Sequence, residues 1–263
     1  SNFYATSISD GFDFAYVLVK SREGRPIKIE INKQSHDNTP IARVQASVLS
    51  MYDSSRLQGP TMDGQDISWE QFNVNVKAQL DAMKASGKRI VLLTQTFASP
   101  TNEIIIEKFL SKYPNVEHVV YDSISNSKAL DAFEMSYGVR ALPTYDFVNA
   151  NVIVSISADF LGDWQGGGFS KGYAKNRVPK NGKMSKHYQI ESNMSLSGAN
   201  ADVRVPIKPS LQKKALLKIY DYISGEKSGV SLDVELDKKL KSISDSLLKC
   251  NGDGVLITGI DDV

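Results

Sequence analysis

Short β-type runs recur along this chain at 89–94, 116–121, 152–156, 186–191 and 254–258, with helical stretches between most of them. In the first run Ile90, Val91, Leu92 and Leu93 are continuously apolar, the pattern of a sheet strand covered on both faces. Short strands separated by helices close into a parallel sheet through right-handed crossovers. The expected fold is therefore α/β: a doubly wound, mostly parallel sheet with helices on both faces over residues 61–263. The five runs are its expected strands.

The helical stretches carry their own signals. Ser68, followed by Trp69, Glu70 and Gln71, is a capping-box start. Phe72, Val76, Leu80 and Met83 then fall on one helical face, and Gly87 is a natural stop. Ser99-Pro100 opens a second helix with Ile104, Ile105, Phe109 and Leu110. Further helices are expected near 126–137, 210–224 and 233–249, and a short extended piece at 202–207. Residues 162–185 carry six glycines and many basic residues, and read as a long loop or weakly helical insertion.

A different pattern precedes this. Residues 14–20 are β-branched and aromatic, and 26–31 alternate apolar and charged around the turn Ser21-Arg22-Glu23-Gly24-Arg25. This is a β-hairpin. Residues 33–40 are loop, and 42–51 form a short helix before Gly59-Pro60 breaks the chain. A small hairpin domain is thus expected over residues 1–60. The opening Ser1-Asn2-Phe3, and a close directly after a strand, are expected of a piece cut from a longer chain, truncated at its C-terminal side.

Charge and cysteine content exclude several functions. Lys and Arg number 31 and Asp and Glu 30, so no global basic field argues for nucleic acid. Cys250 is the sole cysteine, which forbids an internal disulfide, a Cys-rich zinc site and an iron–sulfur cluster held by this chain alone. His36, His118 and His187 lie far apart in sequence, without an HExxH or HxH pair. No apolar run approaches the roughly 18 residues of a membrane span.

In a doubly wound sheet, ligands bind at the carboxyl ends of the strands. The loops there are 94–99, 121–127, 157–164, 191–198 and 258–262. Gln95-Thr96-Phe97-Ala98-Ser99-Pro100 holds no GxGxxG, and neither GxxxxGK[ST] nor GxSxG occurs. Gly166-Gly167-Gly168 lacks the strand-to-helix setting of a phosphate cradle and reads as a flexible loop. Asp261-Asp262 reads as a solvated terminus, and Cys250 as a structural thiol at a helix end. The basic run from Lys171 to Lys186 suits either a solvated loop or contact with an anionic partner or lipid.

Several segments, in order, resemble the molybdopterin oxidoreductases. Val17-Leu18-Val19-Lys20-Ser21-Arg22-Glu23-Gly24-Arg25-Pro26-Ile27-Lys28-Ile29-Glu30 is similar to the family's opening hairpin, which carries cluster cysteines. Ala42-Arg43-Val44-Gln45-Ala46, running on through Tyr52-Asp53 to Arg56-Leu57-Gln58-Gly59-Pro60, resembles its "C-x-R-G-Q-A…l-Y-d-p-x-R-L-x-x-P". Val152-Ile153-Val154-Ser155-Ile156-Ser157-Ala158-Asp159 resembles "v-i-v-x-x-G-x-N". Gln189-Ile190-Glu191-Ser192 and Ala201-Asp202-Val203-Arg204-Val205-Pro206-Ile207-Lys208-Pro209 resemble the later "v-v-D-p-r…A-D-x-x-l-p-i-r-P-G". Ala46-Ser47-Val48-Leu49-Ser50, Ala158-Asp159-Phe160-Leu161-Gly162 and Ser195-Leu196-Ser197-Gly198-Ala199-Asn200-Ala201-Asp202 look most like one branch, the large iron–sulfur subunit of bacterial alternative complex III.

That resemblance implies a subunit of a membrane-associated, quinol-oxidising respiratory complex on the periplasmic side of the inner membrane. Its partners would be the other subunits. It also implies that this region lacks a molybdenum cofactor, with iron–sulfur clusters elsewhere in a longer chain. The departures agree with that expectation. Ile41 stands at the cluster cysteine, and Val44 at the glycine that follows. Pro209-Ser210-Leu211-Gln212 replaces "P-G-t-D", which grips a guanine. Glu191 is a retained acid on the ribose side, and Ser123 and Ser125 lie where a molybdenum ligand would fall.

The residues left to line a vestigial dinucleotide cleft are Ser157, Ala158, Asp159, Glu191, Ser192 and Asn193, with no catalytic residue and no metal ligand among them. Two functions follow: a cofactor-free scaffold and docking domain, or an active oxidoreductase holding molybdopterin guanine dinucleotide at the strand-end loops.

Overall fold

The computed structural model describes residues 1–11, 13–34, 42–97, 99–166 and 168–260. His36, Ile41, Gly167 and the Asp261-Asp262 pair lie outside the described residues. The chain packs as two compact units, Ser1–Ile124 and Ser125–Val263. The sequence division after residue 60 rests on the change from a hairpin pattern to alternating helices and strands, whereas the packing boundary falls after Ile124.

The first unit opens with an antiparallel sheet of β1 (Asn2–Asp10), β2 (Asp13–Arg22) and β3 (Arg25–Ile31), in that order. The expected hairpin is its β2–β3 pair. Its turn places Glu23 (φ 52°) and Gly24 (φ 76°) both in the left-handed region, as a two-residue hairpin whose twist matches its strands requires. β1 was not expected, because its second half, Thr6-Ser7-Ile8-Ser9-Asp10, is polar but for Ile8. Ala15, Val17 and Ile29 meet Val44 of the short helix α1 (Ala42–Ala46) in a small core. A 3-10 turn, Ser47–Tyr52, and a minimal hairpin, β4 (Thr61–Met62) with β5 (Gln65–Asp66), follow.

Helix α2 (Trp69–Ala85) begins as its sequence dictates: the Ser68 side chain accepts the Gln71 amide and the Gln71 side chain accepts the Ser68 amide. Gly87 follows in a left-handed conformation, φ 63°. Strand β6 (Ile90–Thr94), helix α3 (Pro100–Lys112, capped by Ser99) and strand β7 (Val116–Val120) form a β-α-β unit with β6 and β7 parallel. The expectation that the first strand is covered on both faces fails. Val91 and Leu93 are 50% and 63% exposed, because α2 and α3 bring no fully buried residue to pack against them.

The second unit begins with α4 (Ser127–Tyr137), stopped by left-handed Gly138. It is built on a parallel sheet of β8 (Val152–Ile156), β9 (Lys186–Glu191), β10 (Val203–Pro206) and β11 (Gly254–Thr258), ordered β10-β9-β8-β11. Between β8 and β9 lie a 3-10 turn and α5 (Ser170–Asn176), so the glycine-rich insertion is more ordered than its composition suggests. Between β9 and β10 lies the one-turn helix α6 (Leu196–Ala199). Helices α7 (Gln212–Ser224) and α8 (Val234–Lys249) connect β10 to β11.

The α/β class and the parallel pairing are as expected, but the five strands belong to two sheets rather than one. A β run shows that it is a strand, while its partner is fixed by residues far away in sequence.

Alternation along β8 and β9 fixes the two cores. Val152, Val154, Ile156, Tyr188 and Ile190 face α7 and α8, meeting Ala215, Ile219, Leu236, Leu240 and Ile243. Ile153 faces the other way, into an aromatic cluster of Phe147, Phe160 and Tyr173 whose rings pack at 4.7 to 5.6 Å. Full burial of such side chains contributes roughly 1.5–3 kcal/mol each, so this sheet is the stable centre of its unit.

Candidate functional site

On its aromatic-side face β9 carries three polar residues at every second position: His187, Gln189 and Glu191, at 0%, 0% and 3% exposure. Buried polar groups must find partners, and these find one another. The Tyr173 hydroxyl lies 3.2 Å from His187 Nδ1 and donates to the Asn200 carbonyl at 3.0 Å. His187 Nε2 lies 3.1 Å from Gln189 Oε1, and the Gln189 amide nitrogen donates to Glu191 Oε2 at 3.2 Å. The ladder runs along the strand to its carboxyl end.

At that end Glu191 is saturated. Its oxygens accept the Ser195 amide at 3.2 Å, the Ser195 hydroxyl at 2.6 Å and Arg204 Nε at 2.6 Å. Burial pushes its carboxyl up, but the bonds from Ser195, Arg204 and Gln189 outweigh burial and hold it below the ordinary carboxylate value. Gly198 is required here: a Cβ on it would overlap the Glu191 carboxylate.

The loop after β8 is fixed just as firmly. The Ala158 carbonyl accepts the Ser155 hydroxyl at 2.9 Å and the Gln189 amide at 3.4 Å. Ser157 sits at φ 57°, and its buried hydroxyl has no hydrogen-bond partner among the described residues. A side chain in that conformation costs roughly 1–2 kcal/mol. Asp159 turns away from solvent to accept the Ser197 amide at 2.8 Å and the Ser197 hydroxyl at 2.7 Å, and that hydroxyl accepts the Leu161 amide at 3.0 Å. Gly162 makes the room, since its Cβ would meet the Asp159 carboxylate.

The strand-end residues singled out from sequence therefore divide. Asp159 and Glu191 converge on one turn, 195–198, as internal caps. Ala158 is fully buried. Ser192 accepts the Gln212 amide at 2.8 Å, while Asn193 is exposed. Leu211 packs against the core beside α7 and α8. An open crevice of about 520 Å3 lies beyond β10 and β11, lined by Ser210, Gln212, Lys214, Leu217 and Ile260 among others. None of Ser157, Ala158, Asp159, Glu191, Ser192 or Asn193 lines it. Ser123 belongs to the first unit, and Ser125 Oγ lies 2.6 Å from Ser127 Oγ at the start of α4.

Sequence reading missed His187 and Gln189. The signal was there, as polar residues at 187, 189 and 191 alternating with Tyr188 and Ile190 on a central strand. Burial presses the His187 imidazole down to about 4, against support from Gln189, so it is neutral at pH 7. Its main-chain amide donates to Asp202 at 2.7 Å, and Arg177 holds Asp202 bidentately at 2.7 and 2.9 Å. Among the described residues no group of three or more His, Cys, Asp or Glu is placed to hold a metal ion. No helix there is long and apolar enough to cross a membrane.

No family model and no curated sequence matches this chain. In structure it is similar to acetylene hydratase from Pelobacter acetylenicus, with a TM-score of 0.57 and 14% identity over 93% of this chain. The chain spans 38% of the length of that protein. Identity this low speaks to fold alone: the likeness supports a shared α/β fold.

Proposed function

We propose that this chain is a non-catalytic domain of molybdopterin-oxidoreductase-like fold that holds no cofactor of its own. It serves as scaffold and docking domain in a respiratory, quinol-oxidising complex of the alternative complex III type, on the periplasmic side of a bacterial inner membrane. The observation that supports it is the internal use of the two strand-end carboxylates. Asp159 and Glu191 are both committed to the 195–198 turn, and Glu191 also to Arg204.

A dinucleotide at this place needs outward-facing donors and acceptors. Turning Glu191 outward to meet a ribose strands the Arg204 guanidinium, and separating a largely buried ion pair costs about 3–5 kcal/mol. The guanine end fares no better, because Leu211 is packed inward and Gln212 is bound to Ser192. The residues present do not fit the cofactor. The sequence adds Ile41 at the ligand position of the hairpin and no thiolate before Cys250. The enzymatic reading draws on the crevice beside Gln212 and Lys214, which is large enough for a nucleotide base.

Calorimetry separates the two. A guanine dinucleotide titrated into the protein is expected to bind more weakly than about 1 mM. A micromolar constant that disappears in Glu191→Ala would establish a working cleft and end the scaffold reading.

A further inference from the structure

Residues 164–190 hold Lys171, Lys175, Arg177, Lys180, Lys183 and Lys186 and no acidic residue. Of 31 basic and 30 acidic residues in the chain, 25 and 30 lie elsewhere, so the remainder has a net charge of −5 while this stretch alone carries +6. The near-neutral total hides a sharp segregation.

The structure makes this stretch a projection. Lys180 and Lys183 exchange two main-chain hydrogen bonds of 2.9 Å around Asn181 (φ 52°) and Gly182 (φ 73°), a tight type I′ tip. Its base is closed by the Ser185 amide on the Asn176 carbonyl at 3.0 Å and by Arg177 on the Ser185 carbonyl at 2.5 Å. Arg177 is consumed there and by Asp202. Lys171 and Lys175, one turn apart on α5, and Lys180 and Lys183 at the tip are exposed, and among the described residues none of the four has an ion-pair partner. Val178 and Met184 flank the tip, 61% and 44% exposed, while the aromatic Tyr173 is packed inside.

We propose that this lysine-rich hairpin is a docking surface for an anionic lipid bilayer. The chemistry selects that partner. Nucleic-acid surfaces add stacking aromatics or free arginines, and protein interfaces are depleted in lysine and enriched in arginine and aromatics. The tip, residues 178–184, has no aromatic and no arginine: beside Asn181 and Gly182 it carries two lysines, Val178, Pro179 and Met184. Lysine is a compact, mobile point charge suited to a diffuse field of headgroups, and valine and methionine can enter the interfacial layer. The rest of the chain, with its net charge of −5, adds no attraction to the same surface. The inference is independent of the scaffold reading, since none of its residues belongs to the strand-end turn.

The test uses the whole chain and vesicles of phosphatidylcholine, alone or with about a third phosphatidylglycerol, in co-sedimentation. Binding is expected only to the anionic vesicles, and it should fall at least tenfold between about 50 and 500 mM salt. Lys180→Glu/Lys183→Glu should weaken it about tenfold or more. Lys227→Glu/Lys238→Glu, the same charge change on other exposed lysines, should weaken it less than threefold, and both pairs should keep the far-UV spectrum and melting temperature of the parent. Equal binding to neutral vesicles, no binding to anionic ones, or equal loss in the two variants overturns the proposal. So does capture by polyglutamate in place of the vesicles, which would make the partner an acidic protein.

Discussion

Two parallel ladders in this molecule look alike on paper. β6 reads Ile-Val-Leu-Leu-Thr and β8 reads Val-Ile-Val-Ser-Ile, each five residues long and each in parallel register with its neighbour. Every residue of β8 is buried, whereas β6 alternates between half-buried and exposed. The difference lies in what covers them. β8 has a strand on each side, α7 and α8 on one face and the aromatic cluster on the other. Among the described residues β6 has one neighbouring strand, and α2 and α3 bury no residue completely. Apolar sequence is therefore permission for a core, and the core itself depends on layers that arrive from elsewhere in the chain.

The sharpest way to break this comparison is to remove the same kind of atoms from each region. Leu240→Ala, under the β8 sheet, is expected to cost about 2–5 kcal/mol in urea unfolding followed by far-UV circular dichroism. A cost below about 1 kcal/mol would mean that the packed sheet is no more load-sensitive than the open one.

A second prediction sharpens it through pH. His187 is buried and neutral, with a folded pKa of about 4 against 6.5 for a free imidazole. Between those values the unfolded chain takes up a proton that the folded chain refuses. The contribution is thus complete above pH 6.5 and is lost as pH falls toward 4, about 3 kcal/mol in all. Glu191 and Asp202, both held below their ordinary values, add to acid sensitivity at the lower end of that range. In His187→Gln the slope of stability between pH 4.5 and 6.5 should flatten, which thermal melts across that interval measure. An unchanged slope would show that the imidazole is not shielded.

The smallest effect belongs to the open ladder. Leu93→Ser, at a position 63% exposed, should change stability by no more than about 0.5 kcal/mol. A loss above 2 kcal/mol in the same urea assay would reveal that β6 carries a core of its own.

These outcomes also mark what was legible in the sequence. Ser68 with Gln71, Ser99-Pro100 and Gly87 announced their helix ends because capping is local chemistry. The β2–β3 hairpin was readable for the same reason. The grouping of strands was not, since β8 finds β11 across about a hundred residues and nothing within either strand names the other. At the candidate site, Asp159 and Glu191 were identified but their orientation was not. They point inward because Gly162 and Gly198 leave room, a condition visible only once the turns are folded. His187 and Gln189 were passed over because a polar alternation on a central strand was read as a strand and no further.

The sheet order carries a last consequence, for the chain as it is made. β8 is held between β9 and β11, and Asn151 beside it bonds Asp253 across 102 residues. During synthesis from the N-terminus, β9 and β10 emerge in time to cover one flank of β8, but the other flank keeps its hydrogen-bonding groups open until residue 258 leaves the ribosome. For that interval the most apolar strand of the protein is an edge, and edges recruit other chains. At a synthesis rate of roughly 5–20 residues per second, the wait lasts about 5–20 seconds. A chain ended before β11 would leave that edge permanently open.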